Sequence, residues 1–465
     1  MLFCRRQPEF PTLWFFALVT LLGSCASYTP VPLPLQPPEQ PSLNALVQAT
    51  NHNLQGTENS PINVKDGLTL SEIAALAVFG NADLKAKRLN LGISRAQAYA
   101  AGLLPDPQAS FNLDHPNTQG TGLMNAYGTS LSYDLTPLIT RNARVDSAKG
   151  TQEKVRLEIL WQEWQVIQQA QMLAIRYQFE LDRLDLFEEM KQLYQKRYQH
   201  SVRGLNEGNV TLKDNGSDLT TLLDFYSQFN QLEQLHSQTR HSLCLLLGLK
   251  PSSILPVIHL PTPVELTPLV IQKQLEKLSD IRPDLAALKA GYQAQEAQVR
   301  AAILGQFPSL SIGLNRARDT GGIATNGFSI GLSLPFFSRN QGGIAIERAT
   351  RAQLYQEYQN RVIQAENEVD QLLSLQSIVE EQQTTLDTYL PLLKSLLLRS
   401  RGAYQQGDLD SLSFLNMEST WLNKKLEQIN LQQAHWENRI ALQALLVIPQ
   451  ANQYPSNTNS QELQP

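Results

Sequence analysis

The chain has 465 residues, a formal net charge of −5, 17% charged residues and a mean hydropathy of −0.26. These values are too polar for a helical membrane protein, and the lack of a basic excess argues against nucleic-acid binding. The three cysteines are Cys4, Cys25 and Cys244. Two of them lie in or beside the N-terminal apolar segment, so they offer neither a disulfide framework nor a cysteine-based metal site.

The N-terminal segment resembles a bacterial export signal. Arg5 and Arg6 precede the apolar run Leu13–Leu22, which is too short to span a bilayer. The run ends in the Leu-Gly-Ser-Cys sequence of Leu22–Cys25, which resembles a bacterial lipobox. By that resemblance, residues 1–24 are a lipoprotein signal peptide, and Cys25 carries acyl chains such as palmitate on its thioether and amino groups. The alternative is a signal peptide without lipidation and an incidental cysteine.

Proline and polar residues mark the segments outside the predicted folded part. Six prolines lie between residues 30 and 41, so we expect residues 25–66 to form an extended segment behind the lipid anchor. Residues 450–465 are rich in Asn, Gln and Ser, and we expect them to be disordered.

An internal duplication with a period near 200 residues occupies the rest of the chain. The stretch Asn81–Ala86 is similar in residue types to the stretch Arg282–Ala287. Each copy continues as an alanine-rich helix that ends near a proline, Pro105 or Pro308. We therefore predict a first repeat at residues 67–250, a linker at 251–266 and a second repeat at 267–449.

Two short strands follow the alanine-rich helix in each copy. In the stretch Gly327–Phe337, apolar residues from Phe328 to Leu334 alternate with glycine and serine, and Leu310–Leu314 does the same upstream. This two-residue period predicts strands with one apolar and one small polar face, which suits a wall between lipid and a water-filled lumen. An ordinary hairpin on a soluble core is the alternative. Residues 109–114 and 127–135 repeat the arrangement in the first copy.

Long helices form the second strong signal. A coiled-coil seam with three-four spacing runs from Tyr358 to Leu397, with a weaker counterpart from Leu157 to Leu181. Pro391 is expected to kink the second helix. Each long helix is expected to turn back at a glycine-bearing segment, and the first turn, Gly204–Asp218, is expected to be longer and more irregular than the second.

Four strands are too few to close a membrane barrel, which needs about eight or more. Because open sheet edges are costly in lipid, the chain must pool its strands with identical copies, and three chains supply twelve.

The sequence resembles the outer-membrane efflux protein (TolC-like) family over roughly residues 67–448. The resemblance rests on the duplicated pattern and the lipobox, on Leu334–Phe337 followed by Asn340–Gly342, and on Gly407–Asp410 before the last helix. The resemblance implies an α+β membrane protein built from a duplicated helix–strand–strand–long helix–helix unit. Its homotrimer would form a 12-stranded β-barrel in the outer membrane of a Gram-negative bacterium, continued by a long periplasmic α-helical barrel.

The resemblance also implies a function, that of a passive exit duct in a tripartite efflux system. A periplasmic adaptor and an inner-membrane pump of the resistance-nodulation-division type would be its partners, besides outer-membrane lipid. The stretch Arg282–Gly342 looks most similar to the heavy-metal-efflux branch, so metal cations are one candidate cargo. Alternatives are a type I protein-secretion channel, a periplasmic coiled-coil adaptor or scaffold, and a barrel enzyme.

Members of this family close their tunnel where the helix turns converge, and carboxylates commonly line the constriction. The candidates for this periplasmic gate are Asp214, Asp218, Asp408 and Asp410. Helix capping is the competing role, above all for Asp218 and Asp410. By the same resemblance, an adaptor would contact the two tips, whose candidate residues are Arg203, Gly204, Gly208, Gly402 and Gly407.

The sequence offers no catalytic or cofactor site. It contains no HExxH, GxSxG or Walker A pattern. His236 and His241 are five apart, the wrong spacing for one helical face. We expect His200, His236 and His435 to be solvated or packed, and Cys244 to be a small buried residue. We therefore predict neither an enzyme nor a resident metal, and the energy for export would come from a partner.

Overall fold

The structure, a computed structural model, describes residues 28–36, 39–54, 61–117, 122–260 and 266–448. Residues before Pro41 form a separate unit, and its described part contains no helix or strand. The predictions for the signal peptide, Cys25 and the tail at 450–465 lie outside the described residues.

The second unit contains ten α-helices and six strands in its described part. Their order is α1 Leu43–Leu54, β1 Leu68–Thr69, α2 Leu70–Gly80, α3 Ala82–Gly102, β2 Gln108–Asp114, β3 Ala126–Asp134, α4 Thr136–Asn206, α5 Leu212–Leu246, β4 Ile258–His259, α6 Pro268–Leu275, α7 Leu278–Ile281, α8 Pro283–Leu304, β5 Ser309–Arg318, β6 Ala324–Ser333, α9 Gln341–Gln406 and α10 Ser411–Leu445. The predicted unit appears twice, as α3–β2–β3–α4–α5 and as α8–β5–β6–α9–α10. At about 1.5 Å per residue, the 71-residue α4 is about 105 Å long.

Helix α1 corrects the prediction that residues 25–66 are extended throughout. Leu43, Leu46 and Val47 share the three-four spacing of one helical face and are buried in the core. The side-chain amide of Asn51 donates to the Ile62 carbonyl at 3.0 Å, and its Oδ1 accepts from the Ile62 N–H at 2.9 Å. This segment therefore packs onto the folded unit.

Local sequence explains how the short helices join. Thr69 and Glu72 form a capping box at the start of α2. Asn81 caps α3, because its Oδ1 accepts from the Leu84 N–H at 2.8 Å. The junction between α2 and α3 packs directly against the end of α5, where a Cβ on Gly80 would lie 2.0 Å from the Leu247 carbonyl oxygen. Glycine is therefore required at this close approach.

The long helices pack around three apolar clusters in the described part of the chain. The largest joins α1, α2, α4 and the end of α5, and the second joins α4, α5 and α10 nearer the helix turns. The third joins α7, α8, α9 and α10. The predicted seam of α9 is confirmed, since Ala365, Val369, Val379 and Leu397 are buried. Helix α9 continues through Pro391, so the proline does not end it.

The first helix turn is much shorter than predicted. Helix α4 continues to Asn206 and α5 begins at Leu212, so the first turn, residues 207–211, is one residue longer than the second, residues 407–410. The predicted irregular segment Gly204–Asp218 is mostly helical, because the Thr211 side chain caps α5 by accepting from the Asp214 N–H.

Strands β2, β3, β5 and β6 form one antiparallel sheet in that order. The two repeats meet where β3 pairs with β5, and Leu131 lies opposite Leu314 there. Strand β6 ends at Ser333, two residues before Pro335, which cannot donate to a ladder. Within the described chain, β2 and β6 each have a single neighbouring strand. No helix in the described ranges is long and apolar enough to cross a bilayer.

Candidate functional site

The four-stranded sheet has one apolar face and one face of small polar residues. Residues paired across an antiparallel ladder point to the same side, so the pairs of Leu314 with Leu131 and Phe328 put large side chains on one face. The intervening pair of Gly313 and Ser329 lies on the other face. Phe328 is 63% exposed in the single chain. An exposed apolar face backed by a small polar one is typical of strands between lipid and water.

Three of the four candidate gate carboxylates lie in or directly beside the turns between the long helices. Asp410 caps α10 by accepting from the Ser413 N–H at 2.8 Å, and hydrogen bonds from Ser413 hold the pKa of Asp410 below its ordinary value. Asp214 accepts from the Thr211 hydroxyl at 2.6 Å in the first turn of α5. Asp408 is exposed in the second turn, and its own N–H donates to the Ala403 carbonyl at 2.9 Å.

Asp218 does not cap a helix, which corrects the expectation for this residue. It lies inside α5, is only 7% exposed and accepts from Arg197 Nε on α4 at 2.7 Å. The same guanidinium donates from Nη1 to Asn416 Oδ1 on α10, also at 2.7 Å. Arg197 therefore connects the two helical hairpins close to their turns. Its role depends on partners in other helices, and no sequence motif indicates it.

The candidate tip residues differ in what their positions require. Gly208 and Gly407 lie in the turns with φ of 77° and 83°, the left-handed region that favours glycine. Gly204 lies in the last turn of α4, where a Cβ would come within 2.5 Å of Val210. Arg203 belongs to the same turn of α4. Gly402 is helical with open space around it, so turn geometry does not explain this glycine.

A polar cluster between α4 and α5 was not evident from the sequence. Glu180 is 2% exposed and accepts from the Thr239 hydroxyl at 2.9 Å through Oε1. Its other oxygen, Oε2, lies 3.7 Å from His236 Nδ1, and neither of these two buried atoms has a hydrogen-bond partner. The His236 ring stacks on Tyr177, with centroids 4.9 Å apart. Burial raises the pKa of Glu180 and lowers the pKa of His236.

These two shifts predict opposing pH dependences of stability. Because the pKa of Glu180 is raised in the folded state, this carboxyl stabilises the fold at pH values below its ordinary pKa of 4.5. That stabilisation is lost as pH rises through the folded-state pKa. Because the pKa of His236 is lowered, stability also falls as pH drops below its ordinary value of 6.5. The two contributions to stability therefore change in opposite directions as pH rises.

Glu180→Gln is expected to remove the loss of stability that ionisation of Glu180 causes as pH rises, because an amide stays neutral and can donate to His236 Nδ1. The measurement is the unfolding transition of the full chain in detergent at about pH 5.5 and about pH 8.5. Glu188→Gln, an exposed change on the same helix, is the control and should keep the wild-type difference. An unchanged pH difference in Glu180→Gln would contradict the assignment.

The described residues contain no group of three or more His, Cys, Asp or Glu side chains placed to hold a metal ion. His435 Nδ1 accepts from the Gln376 side-chain amide at 3.1 Å, so this histidine is packed as expected. Cys244 is fully buried, which confirms the prediction for that residue.

Residues 275–446 match the profile of the family described as outer membrane efflux protein. These residues form an outer membrane efflux protein domain. The sequence is also 28% identical over 175 residues to the cation efflux system protein CusC of Escherichia coli K12. That match covers 36% of this chain and 38% of the length of CusC. The family model describes an efflux protein and not an enzyme class.

Solved structures extend the similarity in fold beyond the efflux domain. A crystal structure of CusC aligns with a TM-score of 0.67 and 20% identity, covering 91% of this chain and 99% of that one. The CmeC outer membrane channel of Campylobacter jejuni aligns with a TM-score of 0.66 and 16% identity, covering 91% and 94%. The efflux domain and the preceding repeat therefore share the mostly helical α+β fold of these proteins.

Proposed function

We propose that this chain is the outer-membrane channel subunit of a tripartite efflux system. The observation that carries the proposal is the four-stranded sheet, which has an exposed apolar face and two open edges and continues directly into long helical hairpins. Unpaired edges are costly in lipid, and three copies joined edge to edge would close twelve strands into a barrel. The helices would then extend into the periplasm of a Gram-negative bacterium, and Cys25 would supply a lipid anchor.

The partners follow from this arrangement. The tips at Arg203–Gly208 and Gly402–Gly407 would contact a periplasmic adaptor, which links the channel to an inner-membrane pump of the resistance-nodulation-division type. The channel itself would be passive. Similarity to a cation efflux protein favours metal cations as cargo. Type I protein secretion is the alternative within the same architecture, and a genomic neighbour of the ABC-exporter class would favour it. The sheet argues against a periplasmic adaptor or scaffold.

The direct test is conductance of the purified full-length chain in planar lipid bilayers. We expect discrete steps from an assembly that migrates on gels as a heat-modifiable oligomer. The proposal would be rejected if the purified chain did not conduct and if no oligomer were found in outer-membrane fractions.

Carboxylates at the second turn are expected to control conductance, because threefold repetition of Asp408 and Asp410 would place six negative charges around the tunnel end. Asp408→Asn with Asp410→Asn removes this charge, and asparagine can still cap α10. We expect the double variant to conduct more, or to lose block by divalent cations, in planar bilayers.

Asp83→Asn with Asp185→Asn removes the same charge from exposed positions away from the turns and serves as the control. Indistinguishable cation block in the wild type and the turn variant would exclude these carboxylates from the gate.

A further inference from the structure

Charged residues on the four strands of the antiparallel sheet separate by sign between its two faces. The strands contain only four charged residues, Asp114, Asp134, Arg316 and Arg318. Asp134 pairs with Ser311, on the glycine- and serine-rich face, and Asp114 shares the alternation of that face. Both arginines alternate in step with Leu314 and therefore lie on the apolar face.

The two arginines lie at the end of the sheet that is remote from the long helices. Arg318 is the last residue of β5 and pairs with Tyr127 and Ala324 beside the β5–β6 turn. Helix α4 starts at the opposite end of β3, two residues after Asp134. Arg316 lies two residues beyond Leu314, a rise of about 7 Å. The apolar band thus ends in a tyrosine and two arginines at its loop end.

Within the described part of the chain, neither arginine has a carboxylate partner. The nearest acidic residue in sequence, Asp319, uses Oδ1 to accept from the Ile323 N–H at 2.9 Å. The Nε of Arg318 is buried and has no hydrogen-bond acceptor. Its Nη2 lies beside Gly322 in the β5–β6 turn, 3.6 Å from where a Cβ on that glycine would be. Arg316 is exposed. The apolar face therefore carries uncompensated positive charge at its loop end.

We propose that Arg316 and Arg318 form a binding site for the phosphate groups of membrane lipids. The proposal rests on the proposed function, because it takes the apolar face to contact the bilayer. A guanidinium group presents paired N–H donors that match phosphate oxygens, and basic side chains beside a bilayer attract anionic headgroups. Tyrosine is typical of the same interfacial level. The trimer would carry three such sites around the rim opposite its periplasmic tunnel.

The test measures binding of bis-phosphorylated lipid A to the full-length chain in detergent by native mass spectrometry. Arg316→Gln with Arg318→Gln is expected to weaken binding about tenfold, whereas Arg316→Lys with Arg318→Lys retains most of it because the charge is kept. Arg348→Gln with Arg399→Gln removes the same charge from exposed positions on α9 and should leave binding unchanged.

Unchanged lipid A binding in the glutamine variant of the sheet would overturn the proposal. Displacement of lipid A by millimolar inorganic phosphate would also overturn it, by reassigning the arginines to a free anion. Conductance of the same preparations distinguishes a failure of the arginine site from a failure of the proposed function. Conducting protein with unchanged lipid binding rejects the arginine site alone, and failure of the unsubstituted protein to conduct rejects the proposed function.

Discussion

Leu314→Arg is expected to abolish stable insertion of the sheet into membranes. Leu314 lies on the central strand β5, between Leu131 and Phe328 on the apolar face, and is 61% exposed in the single chain. An arginine facing lipid costs about 2–4 kcal/mol at the bilayer midplane and less towards the interface, and a trimer carries the cost at Leu314 three times. We expect the heat-modifiable oligomer to disappear from outer-membrane fractions.

Asn315→Arg provides the matched control because it adds the same side chain to the next residue of the same strand. Asn315 pairs with Ser130 and Gly327 on the small polar face, which would border water. This variant should insert and assemble like the wild type. Equal loss of oligomer in both variants, or a greater loss in Asn315→Arg, would contradict the assignment of the two faces.

Arg282→Met is expected to destabilise the folded chain by about 3 kcal/mol, because it removes one member of a buried ionic cluster. Arg282 is fully buried and donates to both oxygens of Asp284, from Nε at 2.9 Å and from Nη2 at 2.7 Å. Its guanidinium carbon also lies 5.0 Å from the Trp161 ring centre on α4. The substitution would leave Asp284 with Arg361 as its remaining ionic partner.

The exposed ion pair of Arg156 and Glu153 supplies the control, since its loss in Arg156→Met should cost less than about 1 kcal/mol. Urea unfolding of the full chain in detergent measures both variants. Burial by itself raises the pKa of Asp284, but Arg282 and Arg361 lower it overall. The carboxylate therefore stabilises the fold above its ordinary pKa of 3.8, and this contribution is lost as pH falls. Equal urea midpoints for the two variants would show that the buried cluster adds no stability.

Periodic patterns in the sequence predicted the parts of the fold that local geometry determines. The alternation from Phe328 to Leu332 placed those side chains on one sheet face, because successive strand residues point to opposite sides. The three-four spacing around Ala365 and Val369 predicted the packed seam of α9 for the equivalent reason in a helix. The duplication of these patterns predicted the order of the elements.

Errors arose where one local signal was given too much weight. The prolines up to Pro41 suggested an extended segment, although Leu43, Leu46 and Val47 already had helical spacing. The glycines at 204 and 216 suggested a long first turn, although the capping residue Thr211 places the start of α5 between them.

Contacts between distant residues could not be read from a single sequence. Arg197 meets Asn416 across 219 residues, and Arg361 meets Asp284 across 77. Glu180 and His236 are likewise brought together by the packing of α4 against α5. Each of these residues looks like an ordinary polar position on a helix until the helices are placed.

The number of chains that together form one β-barrel is the most direct test of this account. Light scattering of the detergent-solubilised full-length protein, corrected for bound detergent, measures the protein mass of the particle. Three chains per particle, with solubility dependent on detergent, is the expected result. A monodisperse single chain that stays in aqueous buffer without detergent would contradict it.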